Sequence, residues 1–169
     1  MKTYSFITNV YEDQVDLSGL DFSNIEYKRP DNERVATTFF IKNNIIDDYK
    51  DLQDRLNKSI SNFLDNIKFQ KAEIVASWFQ KYQQNDFHAV HRHNMGPTDW
   101  SMVVFIKADK DVSRLVIMAP GSPLIENESI FITPETGKVI FFPGHLLHYV
   151  EPMTNNNDRV ILSSNLVIE

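Results

Sequence analysis

Apolar positions along this chain follow two rhythms. Between Ile45 and Ile67 they recur by threes and fours, at Ile45, Ile46, Tyr49, Leu52, Leu56, Ile60, Phe63, Leu64 and Ile67. That is the period of a helix with one buried stripe. Asn44 stands where it can cap the first turn, and Asp47 and Asp48 sit where the helix dipole favours negative charge. The expected role of this helix is to cover the outside of a sheet, with no chemistry of its own.

From Glu73 onward the rhythm becomes that of strands. The runs Glu73 to Tyr82, Ser101 to Lys107, Arg114 to Met118, Lys138 to Phe142 and Arg159 to Ile168 are rich in Val, Ile and Phe. Turn signals divide them: Met95-Gly-Pro97, Pro120-Gly-Ser-Pro123, Pro134-Glu-Thr-Gly137, Pro143-Gly144 and Thr154-Asn-Asn-Asn-Asp158. Before the helix, Thr3 to Val10 and Val35 to Ile41 are strand candidates, and the polar stretch Glu12 to Asn32 reads as a surface connection. Strands at this spacing with no helical period between them predict a sandwich or barrel. The chain is expected to be mostly β with one flanking helix, a single jelly-roll domain over residues 1–169. Residues 1–70 would supply N-terminal strands and the supporting helix, and residues 71–169 the β core.

Composition narrows this picture in a few places. A chain of 169 residues is long enough to bury a sizeable core as one domain. A net charge of −6 argues against a non-specific grip on nucleic acid. The absence of cysteine excludes disulfides and thiolate metal sites. No apolar run approaches membrane-spanning length, and Met1-Lys-Thr-Tyr-Ser lacks the apolar core of a signal peptide. A cytoplasmic protein is expected, in the host cytoplasm if a phage encodes it.

The five histidines carry the candidate chemistry. All fall in two clusters, His88-Ala-Val-His-Arg-His93 and His145-Leu-Leu-His148. Imidazole is the commonest metal-binding side chain. In a strand, residues i and i+2 share a face, so His91 and His93 can both point into a barrel mouth while Arg92 points away. His148 lies 55 residues beyond His93, enough chain for several strands to bring it back to the first pair. Arg159 follows 11 residues later and opens the last strand, where a guanidinium could hold a carboxylate through two parallel hydrogen bonds. His88 and His145 read as ordinary solvated or core side chains.

At these residues the chain resembles the Fe(II)/2-oxoglutarate-dependent dioxygenases, and within them a branch of oxygenases found in bacteria and phages. The resemblance runs from about Trp78 to Asn165. It rests on His91-Arg-His-Asn94, Trp100-Ser-Met-Val-Val-Phe-Ile106, Gly137-Lys-Val-Ile-Phe-Phe-Pro143, His148-Tyr-Val-Glu-Pro152 and Asp158-Arg159, in that order. It implies a double-stranded β-helix, the cupin-like jelly roll, with iron at one open end. It implies His91 and His148 as iron ligands and Arg159 as the partner of the distal carboxylate of 2-oxoglutarate. The family's first motif is usually His-x-Asp or His-x-Glu. Here His93 holds the third position, and Asp99 is the alternative if its loop folds back. The family often has Ser two residues after the Arg, where this chain has Ile161, so Tyr82 is assigned a second contact to the co-substrate.

The implied reaction is oxidative decarboxylation of 2-oxoglutarate to succinate and carbon dioxide, coupled to oxidation of a bound substrate. An all-histidine site leaves the metal's charge uncompensated until the anionic co-substrate arrives, which should make iron binding depend on it. A peptide side chain or a small molecule is the expected substrate, chosen by loops at 94–99 and 121–129. The second loop carries Glu126 and Glu128, which does not favour an anion. Two other readings are open. One is a cupin-like metalloprotein or three-histidine dioxygenase of thiols that uses no 2-oxoglutarate and needs no Arg at 159. The other is a non-catalytic jelly-roll binding module without metal. Oligomeric state is not legible in the sequence.

Overall fold

The computed structural model describes residues 2, 8–93, 96, 99–109, 113–120 and 129–169. In chain order its strands are β1 (Tyr11–Gln14), β2 (Ala36–Thr37), β3 (Ala72–Tyr82), β4 (His88–His91), β5 (Asp99–Lys107), β6 (Leu115–Ile117), β7 (Ile130–Ile132), β8 (Lys138–Pro143), β9 (His148–Val150) and β10 (Arg159–Ile168). Among the described residues a single α-helix, α1 (Lys50–Ile67), stands between β2 and β3. The strands form a six-stranded sheet in the order β1-β8-β5-β10-β3-β2 and a four-stranded sheet in the order β4-β9-β6-β7. Every pairing between these strands is antiparallel. The architecture is the double-stranded β-helix.

Period-2 alternation sorts the large sheet into two faces. On one face Phe79, Met102, Val104, Phe141, Leu162 and Leu166 meet Leu52, Leu56, Ile60 and Phe63 of α1. On the other, Tyr82, Val103, Phe105, Ile140, Phe142 and Ile161 meet Leu115, Ile117 and Val150 of the small sheet. The helix therefore supports the sheet from outside, and the space between the sheets is left for a site.

Some elements differ from their sequence expectation. Residues 11–14, within or next to the stretch read as a polar connection, form β1 at the edge of the large sheet, against β8. An edge strand solvated on one side can be as polar as Tyr-Glu-Asp-Gln. The strand expected over Val35 to Ile41 is only Ala36–Thr37. The Ile41 N–H turns back to the Thr38 carbonyl at 2.8 Å, which leaves Phe39, Phe40 and Ile41 exposed. Strands at Ile130–Ile132 and His148–Val150 were not expected, and the strand expected to carry His91 and His93 runs only over His88–His91. Residues 8–10 are not strand, and the rest of the Thr3 to Val10 expectation lies outside the described residues.

The helix begins as a 3-10 turn at Ile45–Asp48 before α1 proper. Asn44 makes no side-chain cap. Its Oδ1 instead accepts the Ser77 hydroxyl at 2.6 Å, and the Ser77 Oγ accepts the Ile46 N–H at 2.9 Å. The cap is thus supplied across the fold by β3.

Candidate metal centre

His91 ends β4, and His148 begins β9 directly opposite it in the ladder. His93 lies two residues past the end of β4, not within the strand as expected. Its backbone is held there by Gly144 in the β8–β9 turn: the His93 N–H donates to the Gly144 carbonyl at 2.8 Å. The Gly144 N–H in turn donates to the Asp99 carbonyl at 2.9 Å. The three rings converge. Their centroids are 4.2 Å apart for His91 and His148, 5.2 Å for His93 and His148, and 5.4 Å for His91 and His93. One nitrogen from each lies within 4.8 Å of the others.

Each Nδ1 is already engaged. Nδ1 of His91 is 2.8 Å from the Ala89 carbonyl, and that of His148 is 2.9 Å from the Leu146 carbonyl. Nδ1 of His93 is 2.7 Å from Oδ1 of Asn165. An oxygen acceptor at this distance requires a proton on Nδ1, so each Nε2 carries the lone pair. Burial keeps the rings neutral. It depresses His91 and His93 below the usual imidazole range and holds His148, 4% exposed, down to about 3. Three neutral imidazoles with Nε2 free are the donor set a divalent metal takes.

The same cavity, about 470 Å³ of atom-free space counting its open mouth, is walled by Arg159 and Tyr82. Arg159 is 1% exposed. Its Nη1 donates to the Ser113 carbonyl at 2.5 Å and to the Ser113 Oγ at 3.2 Å. Its Cζ sits 4.2 Å from the centroid of the Tyr82 ring, a cation–π contact. Nε and Nη2 have no partner among the described residues. Burial opposes the guanidinium's charge, and the Tyr82 phenol supports it. The Tyr82 hydroxyl, pushed up to about 12 by burial, donates to Oε1 of Gln80 at 3.4 Å.

Of the residues singled out from sequence, His91, His93, His148, Arg159 and Tyr82 meet in one cavity. His145 is exposed and stays outside it. Asp99 is buried at the head of β5, but the converging donors do not include it. The loop at 121–128, with Glu126 and Glu128, and most of the loop at 94–98 lie outside the described residues.

His88, read as a bystander, stacks on His91 at 4.1 Å and is held at about 4 by burial, with its Nδ1 3.4 Å from Nε2 of Gln80. Sequence reasoning also missed Trp78, Gln80, Ser163 and Asn165. The Ser163 hydroxyl donates to Oε1 of Gln80 at 3.2 Å. All four could be found by parity: 163 and 165 share a face with 159 on β10, and 78 and 80 share one with 82 on β3.

Comparison with known proteins gives the family and the fold. A family model described as "Putative 2OG-Fe(II) oxygenase" matches residues 76–165, just over half of the chain. No curated protein matches it by sequence. Among solved structures, HygX from Streptomyces hygroscopicus with nickel, 2-oxoglutarate and hygromycin B bound aligns with a TM-score of 0.67 and 12% identity, over 95% of this chain and 83% of that one. The viral collagen prolyl hydroxylase of Paramecium Bursaria Chlorella virus-1, in its 2-oxoglutarate complex, aligns with a TM-score of 0.52 and 15% identity, over 84% and 77%. A 2OG-Fe(II) oxygenase from Burkholderia pseudomallei aligns with a TM-score of 0.49 and 18% identity over 57% of this chain, which spans 45% of that one. The chain belongs to the 2OG-Fe(II) oxygenase family. It is an oxidoreductase that uses Fe(II) with 2-oxoglutarate as co-substrate. No helix among the described residues is long and apolar enough to cross a membrane.

Proposed function

We propose that in this 2OG-Fe(II) oxygenase His91, His93 and His148 hold the iron, Arg159 binds the distal carboxylate of 2-oxoglutarate, and the product is a hydroxylated peptide side chain or small molecule. Arg159 carries the reading. A buried guanidinium with two unpartnered donors is costly to keep. Nε and Nη2 form one edge of its planar fork, and a carboxylate matches that edge with two parallel bonds. Arg159 lines the same cavity as the three imidazoles.

Bound together, iron and 2-oxoglutarate would supply oxidative decarboxylation to succinate and carbon dioxide, coupled to hydroxylation of a substrate C–H bond by dioxygen. The chain's own part is positional. The backbone carbonyls of Ala89 and Leu146 fix the tautomers of His91 and His148. Ser113 and the Tyr82 ring hold Arg159 from one edge and one face, which leaves the other edge for the co-substrate. Val103, Leu115, Phe142 and Ile161 line the same space with apolar surface and exclude water. With no carboxylate among the ligands, dianionic 2-oxoglutarate provides the compensating charge.

An aromatic series points to where substrate sits. Trp78 stacks on His93 at 5.8 Å, Phe39 meets Trp78 edge-on at 5.3 Å, and Phe40 meets Phe39 at 5.4 Å. Phe39 and Phe40 are 48% and 49% exposed. Exposed aromatic surface leading to a metal ligand suits an apolar portion of a peptide or small molecule. HygX with hygromycin B bound and the viral collagen prolyl hydroxylase are precedents for a bound small molecule and for a prolyl hydroxylase on this fold.

The test is anaerobic titration with Fe(II) and 2-oxoglutarate, following the visible charge-transfer band of the chelate. One iron per chain is expected, with the band lost in His148→Ala and kept in His145→Ala. No band in the wild type at millimolar 2-oxoglutarate would overturn the reading.

A further inference from the structure

Three imidazoles can share a metal only if each turns the same nitrogen inward. His91 and His148 achieve this locally, each bonding through Nδ1 to the carbonyl two residues back. His93 lies beyond the last residue of β4 and is oriented differently. Its Nδ1 reaches Oδ1 of Asn165 at 2.7 Å, a side chain 72 positions further along the sequence. Its ring lies nearly parallel to Trp78, with 14° between the planes. Its orientation is therefore set by tertiary contacts on one edge and one face.

We propose that Asn165 is a positioning residue of the metal centre. Its amide oxygen accepts the His93 Nδ1–H, and so presents Nε2 to the metal and lets an imidazole stand where the family's usual motif has a carboxylate. This rests on His93 being a ligand.

The fold around Asn165 suits the role. It lies on β10 six residues beyond Arg159 and on the same face, so one strand carries both the co-substrate anchor and the support of a ligand. Its ladder neighbours are Ala76 on β3 and Ser101 on β5, both small, which leaves room for the amide to reach across to His93. The register against β3 shifts immediately after it, between Asn165 and Leu166. The extra residue, Val75, lies on β3, so β10 runs regularly through Asn165 and keeps it on the face of Arg159.

The choice of an amide over a carboxylate has a consequence. An amide oxygen fixes the tautomer without adding charge, so the metal stays uncompensated until 2-oxoglutarate arrives. A carboxylate at 165 would accept the same bond and place a negative charge behind His93. Asn165→Asp should therefore bind metal more tightly than wild type without 2-oxoglutarate, and gain less when it is added.

The experiment measures Co(II) affinity by calorimetry with and without 2-oxoglutarate, alongside nitrogen-resolved imidazole NMR of the metal-free protein. Asn165→Leu is expected to weaken metal binding roughly ten- to hundredfold, the usual cost of losing such a support. It should also convert His93 from a single Nδ1–H tautomer to a mixture. In the His93→Asp background, Asn165→Leu should leave metal affinity unchanged, because no imidazole remains there to orient. If His93→Ala loses metal while Asn165→Leu binds it as wild type does, the positioning role is wrong and the ligand assignment stands. If His93→Ala itself binds metal as wild type does, both fail. Should Asn165→Leu not fold, the wild-type spectrum decides: an Nε2–H tautomer of His93 in the metal-free protein overturns the proposal.

Discussion

Arg159 shows how much a single side chain can determine. Its Nη1 is spent on Ser113 and its face on Tyr82, while Nε and Nη2 have no partner among the described residues, and under the proposed function they take the carboxylate of 2-oxoglutarate. Charge-assisted bonds of this kind are worth about 1.5–3 kcal/mol. Arg159→Ala should therefore lower 2-oxoglutarate affinity of the Fe(II) form roughly ten- to hundredfold. Iron binding without co-substrate should be nearly untouched, since Arg is no ligand. Arg159→Lys should recover only part, because an ammonium cannot reproduce the planar fork. Equal 2-oxoglutarate affinity in Arg159→Ala and wild type would remove Arg159 from the site. The sequence made His91, His148 and Arg159 readable because residue type and order alone suggest a metal and an anion partner. Gln80, Ser163 and Asn165 are polar residues in apolar strands, and types so common carry no signal by themselves. Only counting parity outward from Tyr82 and Arg159 singles them out.

Among the elements, the turn holding Gly144 and the cap supplied by Ser77 make opposite predictions. A Cβ at Gly144 would meet the His93 carbonyl oxygen at 3.2 Å and the Asp99 carbonyl oxygen at 3.3 Å, tight contacts with backbone that must shift. Gly144→Ala should cost about 1–3 kcal/mol as an overpacked site does. It should weaken metal binding as well, because the backbone that moves is that of His93. Ser77→Ala removes the acceptor for the Ile46 N–H and the donor to Asn44. A cost of about 1–2 kcal/mol is expected from a lost cap, with metal affinity unchanged. Urea unfolding and calorimetry on both variants would separate the effects; metal loss in Ser77→Ala would mean that the helix also shapes the site. The long strands were legible, β10 to the residue, because a run of Val, Ile and Phe buried on both faces needs no context. Strands β7 and β9 were not, and β4 stops short of His93, which the strand was expected to include. Each is three or four residues long, and in β4 and β9 histidines occupy the inward positions where apolar side chains would have shown a strand. The cap failed for a related reason: Asn44 is a good cap by type, but the partner that wins its side chain comes from β3, 33 residues later.

For the whole molecule, the buried histidines tie stability to pH. An exposed imidazole in the unfolded chain titrates near 6.5. In the folded chain burial holds His148 at about 3 and His88 at about 4, with His91 and His93 also lowered. Between those limits the unfolded state binds more protons than the folded one. Stability therefore rises with pH across that interval, is complete above about 6.5, and is lost as pH falls toward the folded-state values. The carboxylates held low by their partners, Asp13, Asp158 and Glu151 among them, add a similar dependence only nearer the ordinary carboxylate range. A window from about pH 7 to 5 thus isolates the histidines. Metal-free protein, kept so with chelator, should lose unfolding free energy steadily through that window. Metal adds to the folded state alone, by about 2.7 kcal/mol at a free concentration one hundred times its Kd. At pH 7 Co(II) should raise the urea midpoint in wild type and not in His148→Ala. A metal-free protein whose stability is flat from pH 7 to 5 would mean that the imidazoles are solvated rather than buried. A site with solvated imidazoles would not hold iron dry beside Arg159.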